Sequence, residues 1–198
     1  DEIRRIQQKL HVTSIIVTHD QEEAMAMADK IAILDNGRIQ QYDTPEMLYH
    51  KPANLFVAHF MGNPPMNFIQ ARVAAGEAGV TLMGDGFTVP AAAAMAEKLA
   101  AIDGREVVIG VRSHQMEVLL APAEGTLELP VSLVENLGKD IMLSGNIGED
   151  LVRVTVPESF EGSYAQLRAL REQEGRVYLR LLDGYNVFDK ESGVNLTL

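Results

Sequence analysis

Three stretches place an apolar side chain at every second position. Leu127, Leu129, Val131 and Leu133 alternate with Glu128, Pro130 and Ser132; Val152, Val154 and Val156 with Arg153 and Thr155; Val177, Leu179 and Leu181 with Arg176, Tyr178 and Arg180. Period two sends successive side chains to opposite faces, so these stretches can satisfy both water and a core only as half-buried strands. Shorter strand patterns at 68–73, 79–83, 87–89, 107–111, 141–146 and 186–188 bring the count and spacing to those of a small barrel or sandwich. Helical patterns interrupt them twice: an alanine-rich stretch after Pro90, reaching Ala101, and residues 164–172 with Leu167 and Leu170 at helical spacing.

Residues 1–62 have a different texture, alternating helix and strand. Ile3, Ile6 and Leu10 recur at helical spacing, and residues 14–18 form a β-branched apolar run of the kind buried on both faces of a parallel sheet. Ala24, Met27, Ala28 and Ile31 give a second helical face, behind Glu22 and Glu23 at the positive end of the helix. Asn36-Gly37 between apolar runs predicts a hairpin. Thr44-Pro45 reads as an N-cap followed by proline at the first helical position, with Pro52 stopping that helix, and a last helix spans about 54–61. Gly62-Asn63-Pro64-Pro65 is a breaker cluster, and the boundary between an α/β segment, 1–62, and a β-rich domain, 63–198, falls there.

Charge and composition exclude several functions. The 198 residues carry 17 Lys+Arg and 28 Asp+Glu, a formal net charge of −11. Residues 1–62 hold six basic and nine acidic side chains and residues 63–198 eleven and nineteen. Nucleic acid is therefore not an expected partner, because phosphate-backbone binders need a basic footprint. The absence of cysteine removes disulfide frameworks, thiolate nucleophiles and cysteine-ligated metals. No run approaches the roughly 18 apolar residues of a membrane helix. The chain opens on Asp1 rather than Met, and the expectation is a fragment.

The residue that draws attention is His19, in Val17-Thr18-His19-Asp20-Gln21. A buried strand ending at Thr18 would present it at the carboxyl edge of a sheet, where ligands of open α/β sheets bind and an imidazole can donate to a phosphate oxygen or orient a water. Taken alone, Thr-His-Asp reads rather as a histidine capping a strand end, since short motif matches are often accidental. Glu22 and Glu23 do not form a carboxylate pair, since adjacent helix positions point apart. His59 shares a helical face with Phe56 and Phe60, which favours packing over metal binding, and His11 and His50 lie near helix C-termini, where imidazolium is favoured.

The longer string is more specific. Val17-Thr18-His19-Asp20-Gln21, Glu23-Ala24-Met25, Ala28-Asp29-Lys30-Ile31, Leu34-Asp35-Asn36-Gly37-Arg38-Ile39, Thr44-Pro45, Tyr49, Pro52-Ala53-Asn54, Phe56-Val57-Ala58, Phe60, Gly62 and Met66-Asn67-Phe68 follow one another in a single register. Together they resemble the C-terminal part of an ABC transporter ATPase of the carbohydrate-importer subfamily, which includes the maltose and glycerol-3-phosphate ATPases. The resemblance implies an α/β tail of a nucleotide-binding domain followed by a mostly-β OB-like barrel with a regulatory role. It makes His19 the switch-loop histidine that contacts the γ-phosphate of ATP, with Mg²⁺, in the intact protein. It also implies a cytoplasmic subunit peripheral on the inner face of the membrane, partnered by membrane-spanning permease subunits and forming a homodimer through the regulatory domain.

Other family parts are missing from the sequence. A phosphate loop needs Gly-x-x-x-x-Gly-Lys-Ser/Thr, whereas the only Gly-Lys, Gly138-Lys139, precedes Asp140 and has Leu133 at the first glycine position. The Leu-Ser-Gly-Gly-Gln signature and the strand leading to the catalytic Glu are likewise absent. The stretch Arg112-Ser113-His114-Gln115 stands where family members usually carry Arg-Pro-Glu-His, which leaves Arg112 either pairing internally or marking the barrel mouth. Gly184-Tyr185-Asn186-Val187-Phe188-Asp189 follows the closing strand loosely. The rival reading is a self-standing small-ligand or oxyanion-sensing β-barrel, binding around Arg112, Lys139 or Arg153. For the 198 residues alone the expected ATPase result is no Mg²⁺-dependent turnover; sustained hydrolysis that survives further purification and disappears in His19→Ala would contradict this reading.

Overall fold

The computed structural model describes residues 2–10, 12–157, 159–160 and 164–198; the predicted helix-end role of His11 lies outside them. The chain divides into two compact units, Asp1–Asn63 and Pro64–Leu198.

The first unit runs α1 (Glu2–Leu10), α2 (Gln21–Met27), β1 (Ile31–Asp35), β2 (Arg38–Asp43), α3 (Pro45–His50) and α4 (Leu55–Phe60). Asn36 and Gly37 turn β1 into β2 with φ of 48° and 76°, the two left-handed residues that a type I′ hairpin needs. The antiparallel pair carries an irregularity between Ile33 and Leu34. Thr44 Oγ1 caps α3 by accepting from Met47 N at 3.3 Å, and Asn54 Oδ1 caps α4 by accepting from Val57 N at 2.9 Å. Ile33, Leu48, Val57 and Met61 form a small core, with Met25 and Ile31 against it.

One expectation for this unit fails. Residues 14–18 are not a strand: residues 12–18 have no regular structure, and Ile15 and Val17 are 90% and 96% exposed. A strand exists only when its N–H and C=O groups find a partner, and among the described residues the only sheet in this unit is the β1–β2 hairpin. The predicted apolar face of α2 is half-buried: Ala24, Met27, Ala28 and Ile31 are each partly covered, Ile31 against the small core.

The second unit contains β3 (Asn67–Gly76), β4 (Gly79–Gly84), β5 (Phe87–Pro90), α5 (Ala93–Ala100), β6 (Glu106–Val111), β7 (Met116–Leu119), β8 (Leu127–Pro130), β9 (Leu133–Asn136), β10 (Asp140–Ile147), β11 (Asp150–Pro157), α6 (Tyr164–Glu172), β12 (Arg176–Leu181) and β13 (Asn186–Asp189). They form sheets ordered β13-β6-β3-β4-β5, β7-β12-β8 and β11-β10-β9, antiparallel in every pairing. One core joins all three, including Val73 and Ile109, Leu129 and Val177, Leu143 and Val154, closed by Leu99 of α5 and Leu167 of α6. This is the mostly-β architecture expected from the alternating patterns, of the OB-like kind that the resemblance implies.

Two details fix how the sheets meet. Asn67 is buried, and its carboxamide accepts from Arg153 N at 2.7 Å and donates to Arg153 O at 2.8 Å and Val111 O at 3.1 Å. It thereby joins β3 and β6 to β11. At Gly145, a Cβ would stand 1.9 Å from Pro130 O, so β8 crosses β10 where only glycine fits. The same crossing explains a second departure from expectation. Residues 127–133 are not one strand: β8 pairs with β12, β9 pairs with β10, and Leu133, beyond the bend at Pro130, is 43% exposed.

The C-terminal end is clipped down by a buried carboxylate. Asp189 Oδ1 accepts from Ser192 Oγ at 2.6 Å and Ser192 N at 2.8 Å, and Oδ2 meets Arg105 Nε at 2.7 Å. The Ser192 hydroxyl, then its N–H, hold the Asp189 carboxyl below the ordinary carboxylate range, with Arg105 adding to them against the opposing effect of burial. The folded state therefore binds this proton less readily than the unfolded chain. The stabilisation is present above the unfolded value and lost as pH falls through the folded one. Asp189→Asn should flatten that part of the acid-unfolding profile followed by circular dichroism. Asn67→Ala should destabilise this unit by about 2–4 kcal/mol in denaturant titrations, because it leaves the Arg153 backbone without its partner.

Candidate functional site

His19 sits in a segment fixed by local bonds. Asp20 is the N-cap of α2, its Oδ1 accepting from Glu23 N at 3.0 Å. Thr18 Oγ1 accepts from Asp20 N at 3.0 Å and donates to Glu23 Oε2 at 2.8 Å. Thr18, Asp20 and Glu23 thus close a ring of three hydrogen bonds around the helix start, a variant of the capping box in which the glutamate reaches the preceding threonine. Gln21 Oε1 accepts from Gly62 N at 2.8 Å, tying the start of α2 to the far end of the same unit.

The imidazole of His19 is exposed on this loop, reachable by a large ligand. The predicted setting at the carboxyl edge of an interior strand is absent, so its position rests on the α2 cap. Glu23 is engaged with Thr18 and Glu22 is exposed one position earlier, which agrees with the reading that they are not a working pair. A cleft of about 560 Å³ opens beside this segment, lined among others by Ser14, Thr18, Met27, Lys30 and Tyr42; His19 does not line it. Lys30 Nζ stands 5.2 Å from the Tyr42 ring centroid.

The remaining sequence candidates are dispersed. His59 lies on α4, where Phe56 and Phe60 stack with centroids 6.2 Å apart, and His50 meets the Tyr49 ring edge-on at 5.0 Å. No group of three or more metal-ligating side chains occurs among the described residues. Arg112 is 2% exposed, so it belongs to the interior rather than to an open mouth. Gln115, a departure from the family pattern, organises this turn: its Oε1 accepts from Arg112 N at 3.0 Å and its Nε2 donates to Gly184 O at 3.2 Å. Lys139 is exposed on the turn before β10.

Sequence reading saw the acidic first turn of α2 but missed the Thr18–Asp20–Glu23 lock, although Asp-x-x-Glu before a helix signals it. Asn67 was recognised only as part of a string, because nothing in a sequence marks an asparagine that replaces a strand partner.

The second unit defines the class, an OB-type β domain, and residues 62–116 match the family "MalK OB fold domain". Over 203 residues the chain is 35% identical to the trehalose/maltose import ATP-binding protein MalK of Thermococcus litoralis, covering 97% of this chain and 50% of that protein. It is 37% identical over 195 residues to the sn-glycerol-3-phosphate import ATP-binding protein UgpC of Jannaschia sp. (98% and 50%). It is also 37% identical over 179 residues to the sulfoquinovosyl glycerol transport ATP-binding protein SmoE of Agrobacterium fabrum (89% and 46%). The chain spans about half the length of these relatives and matches the C-terminal region of the ABC import ATP-binding proteins, OB fold domain included. A solved structure of the cytoplasmic molybdate-binding protein ModG covers 61% of this chain at 15% identity and a TM-score of 0.41, too distant to bear on function.

His19→Ala should leave stability within about 0.5 kcal/mol, as expected of an exposed side chain. Asp20→Ala should cost about 1 kcal/mol and speed amide exchange at Ala24 and its neighbours in α2.

Proposed function

We propose that this chain is the C-terminal part of the ATPase subunit of an ABC importer for a carbohydrate or similar small solute. The observation that carries the reading is the similarity, running through 97–98% of the chain, to import ATP-binding proteins for trehalose/maltose and glycerol 3-phosphate. In that role residues 1–62 are the end of the nucleotide-binding domain, and residues 63–198 form a regulatory domain through which two copies associate. The intact subunit is cytoplasmic, sits on the inner face of the membrane against permease subunits, and couples ATP binding and hydrolysis to transport. No helix among the described residues is long and apolar enough to cross a membrane.

His19 is the residue assigned to nucleotide, contacting the γ-phosphate of ATP in the intact protein. An exposed imidazole next to a helix N-terminus has the hydrogen-bonding character for that contact. The residues of this chain do not by themselves fit a nucleoside triphosphate with Mg²⁺: one histidine stands here without a phosphate loop, and next to it are Asp20, Glu22 and Glu23. Triphosphate and metal must be held by other parts of the subunit.

The decisive measurement is the mass of the native gene product, by intact mass or by an antibody raised to this fragment. A product much larger than 21.7 kDa, with a phosphate loop and catalytic glutamate upstream of Asp1, supports the reading. His19→Ala in that product should then lower ATP turnover by at least about tenfold, as loss of a transition-state contact does, without changing stability. A native product of 21.7 kDa would leave His19 without a nucleotide and put the ligand-sensing barrel first. Sedimentation equilibrium should give this chain twice its monomer mass at high concentration; a mass that stays at the monomer value counts against association through residues 63–198.

A further inference from the structure

The loop that carries His19 is shaped locally but placed from a distance. Thr18, Asp20 and Glu23 fix it against the start of α2, yet α2 buries no side chain fully. Where the helix lies therefore depends on a few ties. Met25 packs against the small core, Arg4 Nη1 donates to Ala26 O, and Gln21 Oε1 accepts from Gly62 N at 2.8 Å across 41 residues of chain. Of these side chains Gln21 stands nearest His19, two residues on, at the first position of the helix.

Its partner is the point at which α4 ends. Met61 is the C-cap of α4; its N–H closes on Val57 O, and its side chain is buried in the small core. Gly62 follows with φ of 106°, the left-handed region that glycine enters without strain. A glycine just past a helix end ordinarily turns its N–H back to a carbonyl of the last turn. Here that N–H goes to Gln21, so a side chain from the start of α2 completes the end of α4. Beyond it the chain reads Asn63-Pro64-Pro65. Each proline fixes its own φ and drives the preceding residue to extended backbone, so this stretch is stiff and the conformational freedom before β3 lies at Gly62.

We infer that Gln21 is a positioning residue for His19: its carboxamide sets where the His19 loop lies against the end of α4, and so ties that placement to the backbone at Gly62, where the chain leaves for the β-rich unit. The tie is a property of this chain; its effect on catalysis rests on the reading of His19 as the γ-phosphate contact. Gln21→Leu is of similar size and removes the acceptor. Gln21→Glu keeps it, and an acid is favoured at the first helical position.

The test is amide hydrogen exchange, with the histidine resonances followed by NMR, on the whole 198-residue chain. The Gly62 amide should exchange more slowly than an unprotected glycine, about three- to tenfold faster in Gln21→Leu, as for loss of a neutral hydrogen bond, and at the parent rate in Gln21→Glu. Gly62→Ala, strained at this φ, should move the His19 imidazole resonances in the parent but not in the Gln21→Leu background. A Gly62 amide unprotected in the unmodified chain overturns the inference without any variant. So does unchanged exchange in Gln21→Leu, or a response of His19 to Gly62→Ala that is equal in both backgrounds. Should Gln21→Leu fail to fold, the parent and Gln21→Glu decide, and loss of Gly62 protection in Gln21→Glu overturns it. In the native gene product Gln21→Leu should lower kcat at least about threefold with the KM for ATP within about twofold, and Gln21→Glu should retain the parent kcat. Unchanged kcat in Gln21→Leu where His19→Ala is impaired overturns the positioning role. Unchanged kcat in His19→Ala overturns instead the nucleotide reading of His19, and the exchange result then decides the tie by itself.

Discussion

The N–H and C=O of Arg153 point away from β10 and meet no strand; the Asn67 carboxamide takes both, and spends its second N–H on Val111 O. A primary amide sets a C=O acceptor and N–H donors side by side, as a peptide group does. In this way the five-stranded sheet, through β3 and β6, holds the three-stranded sheet through β11 without adding a strand between them. All three bonds lie in or against the core, where an unpaired backbone group is costly. The core residues Ile69, Val152 and Val154 can interdigitate only if this seam stays closed.

The second seam works by the lack of a side chain. Gly145 lets the Pro130 carbonyl come where a Cβ would be, and Pro130, which has no N–H to offer a sheet, ends β8 at the same point. Chain direction then changes across Val131 and Ser132, whose N–H groups go to Gly175 O at 3.0 Å and Ser144 O at 2.8 Å. Hydrophobic alternation runs unbroken through Leu133, so periodicity alone reads residues 127–133 as one strand. What separates β8 from β9 is the choice of different partners, β12 and β10, and partner choice is non-local information.

The same distinction governs what else was legible. The Asn36-Gly37 hairpin, the Thr44 cap, the helix at 164–172 and the strands around Val152–Val156 and Val177–Leu181 all follow from neighbours a few residues apart, and each forms as read. Strand β7 escaped notice because its alternation extends over Met116 and Val118 only. Residues 14–18 were misread for the opposite reason: the apolar β-branched run is clear, but a run states only that a strand is possible, and pairing decides whether it forms. Around His19, the long string that contains it was legible, while the Thr18–Asp20–Glu23 arrangement that holds the loop was not.

These two kinds of order meet within residues 12–23. From Thr18 to Glu23 three hydrogen bonds spanning at most five residues set the helix start, and Gln21 Oε1 adds one bond to Gly62 N, so the loop that presents His19 needs no sheet to keep its shape. From Ile15 to Val17 the side chains are apolar, and Ile15 and Val17 are almost fully exposed, so their state depends on what pairs and packs with them. Substitutions on the two sides of Thr18 therefore act through different physics. A change at Asp20 or Glu23 alters the helix start and the direction in which His19 is offered, whereas a change at Ile15 or Val17 alters how this segment can join a sheet. The chemistry offered by His19 is thus a local property of the sequence.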